Sequence, residues 1–121
     1  MRGLAVIVAA RDEADRIGAT VSALAAAFPG AELIVADDAS GDATAEVAAA
    51  HGARVVSGER GVGKGGNVNR AAATLVERVR AGELERVLLC DGDLGETAGR
   101  LRPLVEAVTG GEGDLAVAAF A

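Results

Sequence analysis

Short apolar runs alternate along the chain with stretches whose apolar residues recur at helical spacing. The run Leu4 to Val8 predicts a first strand. Ile17, Val21, Leu24 and Phe28 then fall on one helical face, and Pro29-Gly30 stops that helix. Leu33 to Ala36 predicts a second strand, and an Ala-rich helix follows, with Ser40 or Asp42 placed to cap it and Gly52 at its end. Val55-Val56 marks a third strand. Gly58 to Gly66 reads as a glycine-rich loop, after which Val68, Ala72, Leu75 and Val79 predict one face of a single third helix. Val87 to Cys90 is a fourth strand, Leu101, Leu104, Val105 and Val108 a fourth helix, and Leu115 to Phe120 a fifth strand.

The expected order is therefore βαβαβαβαβ. Apolar strands alternating with amphipathic helices imply an α/β fold with a mostly parallel sheet and helices on both faces. In such sheets ligands bind beyond the carboxyl ends of the strands. The segments found there are Arg11-Asp12-Glu13, Asp37-Asp38, the glycine-rich loop and Asp91-Gly92-Asp93. Four polar loops are thus expected to converge on one edge. No linker or internal repeat interrupts the pattern, so residues 1–121 read as a single domain.

Composition narrows the classes of partner. The net charge of −6 argues against a nucleic-acid backbone as ligand. Phe28 and Phe120 are the only aromatic residues, too few for a base-stacking platform. Cys90 is the only thiol, so neither an internal disulfide nor a cysteine zinc site is available, and its strand position predicts a small core residue. No apolar stretch reaches the ~20 residues of a membrane span, and no signal peptide is evident. The expected compartment is cytoplasmic and reducing, with a membrane-peripheral placement open for a longer protein. A sheet edge left unfinished after Phe120 would favour association into an oligomer.

The glycine-rich loop allows more than one chemistry. Gly58 to Lys64 has the spacing of a Walker A loop, but Gly65 stands where the magnesium-binding hydroxyl belongs. Gly61, Gly63 and Gly66 also match a dinucleotide fingerprint, displaced from the first βαβ unit where it normally lies. Lys64 opens a helix, where a cation is badly placed for the helix dipole and well placed for a phosphate.

The acids have competing local explanations. Ser40, Asp42 and Thr44 suit turns and caps. Asp37 and Asp38 lie earlier, at the strand end, where two adjacent negative charges are costly unless used. Backbone amides or Arg11 can satisfy one, leaving the other to accept a hydrogen bond from a nucleobase imide. Glu13 suits a first helical turn as well as a ligand. His51, at a helix end, reads as structural or exposed. Asp91 and Asp93 can hold a hard divalent cation, and through it a diphosphate, with Gly92 allowing close backbone approach to the ligand.

Together these segments resemble the nucleotide-sugar-binding half of a GT-A (Rossmann-like) glycosyltransferase of family 2. The resemblance rests on Val6 to Glu13, Leu33 to Thr44, Gly63-Lys64-Gly65 and Asp91 to Leu94, in that order and across essentially the whole chain. The Gly-Lys-Gly loop is most similar to the branch of glucosyl-3-phosphoglycerate synthases and polyprenyl-phosphate sugar transferases. The resemblance implies metal-dependent sugar transfer from a UDP- or GDP-sugar, with Mg²⁺ or Mn²⁺ as cofactor. It implies nucleotide-sugar contacts from Ala10, Arg11, Glu13, Asp38, Lys64, Asp91 and Gly92. Asp93 would bind the metal, and Asp91 would assist through ribose, sugar or metal-bound water. Asp38 would read the base, Glu13 the base or ribose, and Lys64 would neutralise the donor.

Ala9 replaces a proline of the family pattern, and Asp12 replaces its asparagine. The acceptor half, with the catalytic base of inverting members, is expected beyond the fifth strand and is missing from these 121 residues. Glu112 and Asp114 precede that strand, away from the active rim. The expectation is therefore a truncated chain of a metal-dependent glycosyltransferase, with a donor-binding module inactive alone and a P-loop-like nucleotide hydrolase or kinase as the alternatives. The acceptor stays open between a lipid phosphate and a small phosphorylated acid.

Overall fold

A computed structural model of the chain describes residues 3–60 and 62–110. The elements are β1 (Leu4–Ala10), α1 (Ile17–Ala27), β2 (Glu32–Asp37), α2 (Thr44–Ala50), β3 (Arg54–Ser57), α3 (Gly63–Ala73), α4 (Val76–Arg80), β4 (Arg86–Asp91), a 3₁₀ helix (Gly95–Leu101) and α5 (Arg102–Thr109). The strands form one parallel sheet in the order β3-β2-β1-β4. The first strand in sequence is thus central, flanked by β2 and β4. The expected fifth strand, Glu112 and Asp114 lie outside the described residues.

Alternate residues of β1 face opposite layers, as the twofold period of a strand requires. Leu4, Val6, Val8 and Ala10 pack with Ile17, Val21, Leu24 and Phe28 of the α1 region and with Leu101 and Val105. Ala5 and Ile7 pack on the other side with Ala71, Leu75 and Leu84. Both faces of the central strand are therefore covered, which explains why it reads as a continuous apolar run rather than an alternating one.

Two expectations about the third helical region change. The glycine-rich loop is shorter than expected, because Gly63 to Gly66 already lie in the first turns of α3. The expected single helix is also two. Of the expected face Val68, Ala72, Leu75 and Val79, only Leu75 is fully buried; the other buried positions, Asn67 and Ala71, lie one place before Val68 and Ala72. Val68 and Ala72 flank the core, whereas Val79 is exposed. Thr74 ends α3, its hydroxyl donating back to the Ala71 carbonyl at 2.7 Å while accepting from Arg54. A threonine bonded to its own preceding turn disturbs the helical ladder.

His51 is structural. Its ring contacts the Val47 carbonyl at 2.8 Å and covers Gly18 of α1, where a Cβ would lie 2.7 Å from the imidazole. Cys90 packs beside the core as expected, and burial, reinforced by the Asp91 charge, pushes its thiol up to about 12. Among the described residues, no helix is long and apolar enough to cross a membrane.

Candidate functional site

Strand register sets the foundation of the site. Ala10 lies beside Asp37, Asp37 beside Ser57, and Ala9 beside Asp91. The carboxyl ends of all four strands therefore reach the same rim. A cavity of about 360 Å³ opens there, lined by Ala9, Ala10, Arg11, Glu13, Ala36, Asp38, Lys64, Asn67, Asp91, Gly92 and Asp93. Every residue singled out in the sequence for ligand or metal binding (Ala10, Arg11, Glu13, Asp38, Lys64, Asp91, Gly92 and Asp93) lines this one cavity.

The loops after β1 and β2 are laced together. The Asp12 amide donates to Ser40 Oγ, the Glu13 amide to Thr44 Oγ1 and the Ala14 amide to Asp42, while the Gly41 amide donates to Asp12 Oδ1. The N-cap of α2 is Ala43, not Ser40 or Asp42; Ser40, Asp42 and Thr44 instead hold the Arg11-Asp12-Glu13 segment in place. Asp42 also accepts from the Thr44 amide at 3.0 Å, and the Thr44 hydroxyl, donating first, holds its carboxyl below the usual carboxylate range. Asp12 has φ of 51°, a left-handed conformation in which Asp and Asn are enriched, so the exchange of one for the other at this place is tolerated.

The two acids at the end of β2 divide. Asp37 is buried and accepts from the Ser40 hydroxyl. Asp38 faces the cavity, receives the Asn67 side-chain amide on Oδ1, and has Arg11 3.9 Å from Oδ2. Arg11 thus meets the acid expected to read a base, rather than the neighbour that needed a partner.

Glu13 lies ahead of α1, not in its first turn; its carbonyl accepts from the Arg16 and Ile17 amides as the chain enters the helix. Its carboxyl is pushed up by burial and by the negative charge of Asp93. Lys64, in the first turn of α3, pairs with Asp91 at the tip of β4.

Gly92 owes its identity to packing. A Cβ there would lie 3.0 Å from Ala10 Cβ, 3.2 Å from the Ala9 carbonyl oxygen and 3.2 Å from Ile17 Cδ1. The close approach that glycine permits is to β1 and α1, whereas the sequence suggested approach to a ligand. Asp91 and Asp93 consequently flank a buried backbone unit while both remain exposed.

Two polar residues escaped the sequence reading. Asn67 is buried beneath Asp38; Gly58 makes room for it, since a Cβ there would come within 1.9 Å of Asn67 Oδ1. Thr20 is buried in α1 and bonds to the turn that carries Asp93. The available signal was the same for both: a polar side chain on the buried face of a helix, Thr20 beside Ile17 and Val21, Asn67 in line with Ala71 and Leu75.

The donors fit a hard divalent cation. Among the described residues no group of three acids, histidines or cysteines is gathered to form a complete cage. Two exposed carboxylates suit Mg²⁺ or Mn²⁺, because a cation of this kind keeps water and takes its remaining oxygens from a bound phosphate.

A parallel α/β sheet with acids and a helix-start lysine gathered at one rim matches the GT-A fold. The family model for glycosyl transferase family 2 matches residues 5–121, and the chain belongs to that family. This membership replaces the P-loop and dinucleotide readings that the glycine spacing had left open.

Solved structures agree. One is glucosyl-3-phosphoglycerate synthase from Mycobacterium tuberculosis in complex with Mn²⁺, UDP-glucose and phosphoglyceric acid. It is 29% identical with a TM-score of 0.72, and the match covers 92% of this chain and 40% of that one. The same enzyme in complex with Mn²⁺, UDP and glucosyl-3-phosphoglycerate is 30% identical with a TM-score of 0.71, covering 88% of this chain and 39% of that one. A structure described as a mycobacterial protein is 32% identical with a TM-score of 0.69, covering 88% and 37%. The chain thus spans about two fifths of the length of these structures. No curated protein sequence matches it.

Proposed function

We propose that this chain is the donor-binding part of a metal-dependent glycosyltransferase that takes a UDP- or GDP-sugar and passes the sugar to an acceptor. The observation that carries this reading is the convergence of Asp38, Glu13, Lys64, Asp91 and Asp93 on one cavity. Asp38 accepts from the imide edge of the base, its carboxylate steadied by Asn67 and Arg11. Glu13 faces the base or ribose. Asp91 and Asp93 would hold Mg²⁺ or Mn²⁺, which supplies charge neutralisation at the diphosphate. Lys64 adds a positive charge beside the same group, so the departing nucleoside diphosphate is stabilised as its charge develops. Similar structures in complex with UDP and Mn²⁺ support the nucleotide and the metal. The phosphoglyceric acid in one of them favours a small phosphorylated acid over a lipid phosphate as acceptor.

Titration calorimetry with UDP, GDP, ATP and NAD, with and without Mn²⁺, tests the reading. Metal-dependent UDP or GDP binding that disappears in Asp93→Ala is expected. ATP binding that survives Asp38→Ala would overturn it. A donor module inactive alone is favoured by the share of the similar structures that the chain spans; measured sugar transfer by these 121 residues would exclude it.

A further inference from the structure

Thr20 is completely buried in a helix whose other inward residues are apolar apart from Gly18. Its hydroxyl donates to the Gly92 carbonyl at 2.7 Å and accepts from the Gly95 amide at 2.8 Å. These two backbone groups bracket Asp93 and Leu94. The hydroxyl also lies 3.1 Å from the Arg16 carbonyl, the local back-bond of a helical threonine. The contact that crosses to the turn is the shorter, so the single proton is directed there. From the other side, the Gly92 amide donates to the Ala9 carbonyl at 2.9 Å.

The Asp91-Gly92-Asp93 turn is therefore fastened at three backbone points, two of them through one hydroxyl. The Asp93 side chain has no hydrogen bond or ion pair among the described residues, so its placement depends on the backbone beneath it. An apolar residue would fill the same space in α1 but would leave the Gly92 carbonyl and the Gly95 amide without this partner.

We infer that Thr20 is a positioning residue for cation capture, holding the turn so that Asp93 presents its carboxylate beside Asp91. The inference rests on the reading that Asp93 binds the donor's metal. Outer groups that orient a metal ligand affect metal affinity by about 10- to 100-fold.

The test is UDP and GDP binding to the chain by calorimetry, with Mn²⁺ and with chelator, in wild type, Thr20→Val and Thr20→Ser. The quantity read is the ratio of the two affinities. Thr20→Val is expected to lower that ratio by about 10-fold or more while leaving metal-free binding in place, and Thr20→Ser to restore it. Thr20→Ala, which removes the hydroxyl and introduces a strong helix former, is the second variant should Thr20→Val fail to fold, with the same selective loss expected. A ratio unchanged in Thr20→Val, or equal losses with and without metal, would overturn the inference. A wild-type chain that binds nucleotide with no effect of Mn²⁺ would overturn the metal reading itself, and the inference with it.

Discussion

Lys64, in the first turn of α3, forms an ion pair with Asp91 at the tip of β4. The residue proposed to face the donor phosphates and a residue proposed to help hold the cation thus occupy each other while no ligand separates them. Both side chains are largely exposed, so the pair itself contributes little to stability. Its consequence lies in binding. Lys64→Met should raise the affinity for Mn²⁺ alone, by up to about 5-fold for an exposed pair, and lower the affinity for UDP in the presence of Mn²⁺. Mn²⁺ and UDP titrations read these opposite changes separately, and a loss of both affinities would contradict the arrangement.

Two glycines predict opposite responses to alanine. At Gly92 a Cβ meets Ala10 and Ile17 as well as the Ala9 carbonyl oxygen, and the neighbouring strand cannot give way easily. Gly92→Ala should cost about 1–3 kcal/mol, the range for overpacking. At Gly65, exposed in α3, nothing lies within 4 Å of the added carbon. Gly65→Ala should stabilise by about 0.5–1 kcal/mol through helix propensity. Urea unfolding of the two variants measures both signs.

Asp42 ties the loop after β2 to the loop after β1, and its carboxyl is held below the usual value of 3.8 chiefly by the Thr44 hydroxyl. A carboxyl depressed in the folded state contributes stability above its unfolded pKa and loses it as the pH falls through the folded pKa. The stability gap between wild type and Asp42→Asn should therefore be full at neutral pH and close on acidification below about pH 4. Unfolding midpoints across that range check it; a gap independent of pH would sink the assignment.

Cys90 should resist thiol reagents. Burial and the neighbouring Asp91 push its thiol up to about 12, which leaves almost no thiolate at neutral pH. Native chain should react slowly with a neutral disulfide reagent, and urea-unfolded chain rapidly. Fast labelling of the native chain would show that β4 opens.

Most of the rim was legible because a parallel α/β pattern orders its own loops. Once β1, β2 and β4 are recognised as apolar runs, the residues after them must share an edge, and Arg11, Glu13, Asp38, Asp91 and Asp93 follow without further information. Lys64 was legible from its place at a helix start. The facing of α3 was less so: alanines at 71 and 72 give nearly equal apolar stripes, and the buried stripe is the one that carries a polar residue, Asn67. A periodicity count rejects that stripe, although Asn67 is bonded to Asp38 there.

The sequence by itself determined the alternation of strands and helices, the order of the polar loops and the chemical types available at the rim. These are local properties, set by the period of apolar residues and by the breakers between them. Only the tertiary structure decided the pairings: Lys64 with Asp91, Asn67 and Arg11 with Asp38, Ser40, Asp42 and Thr44 with the amides of the first loop, and Thr20 with the backbone around Asp93. Each joins residues about 27 or more positions apart in sequence. A hydrogen bond is satisfied by distance and direction, which are fixed only when the helices settle on the sheet.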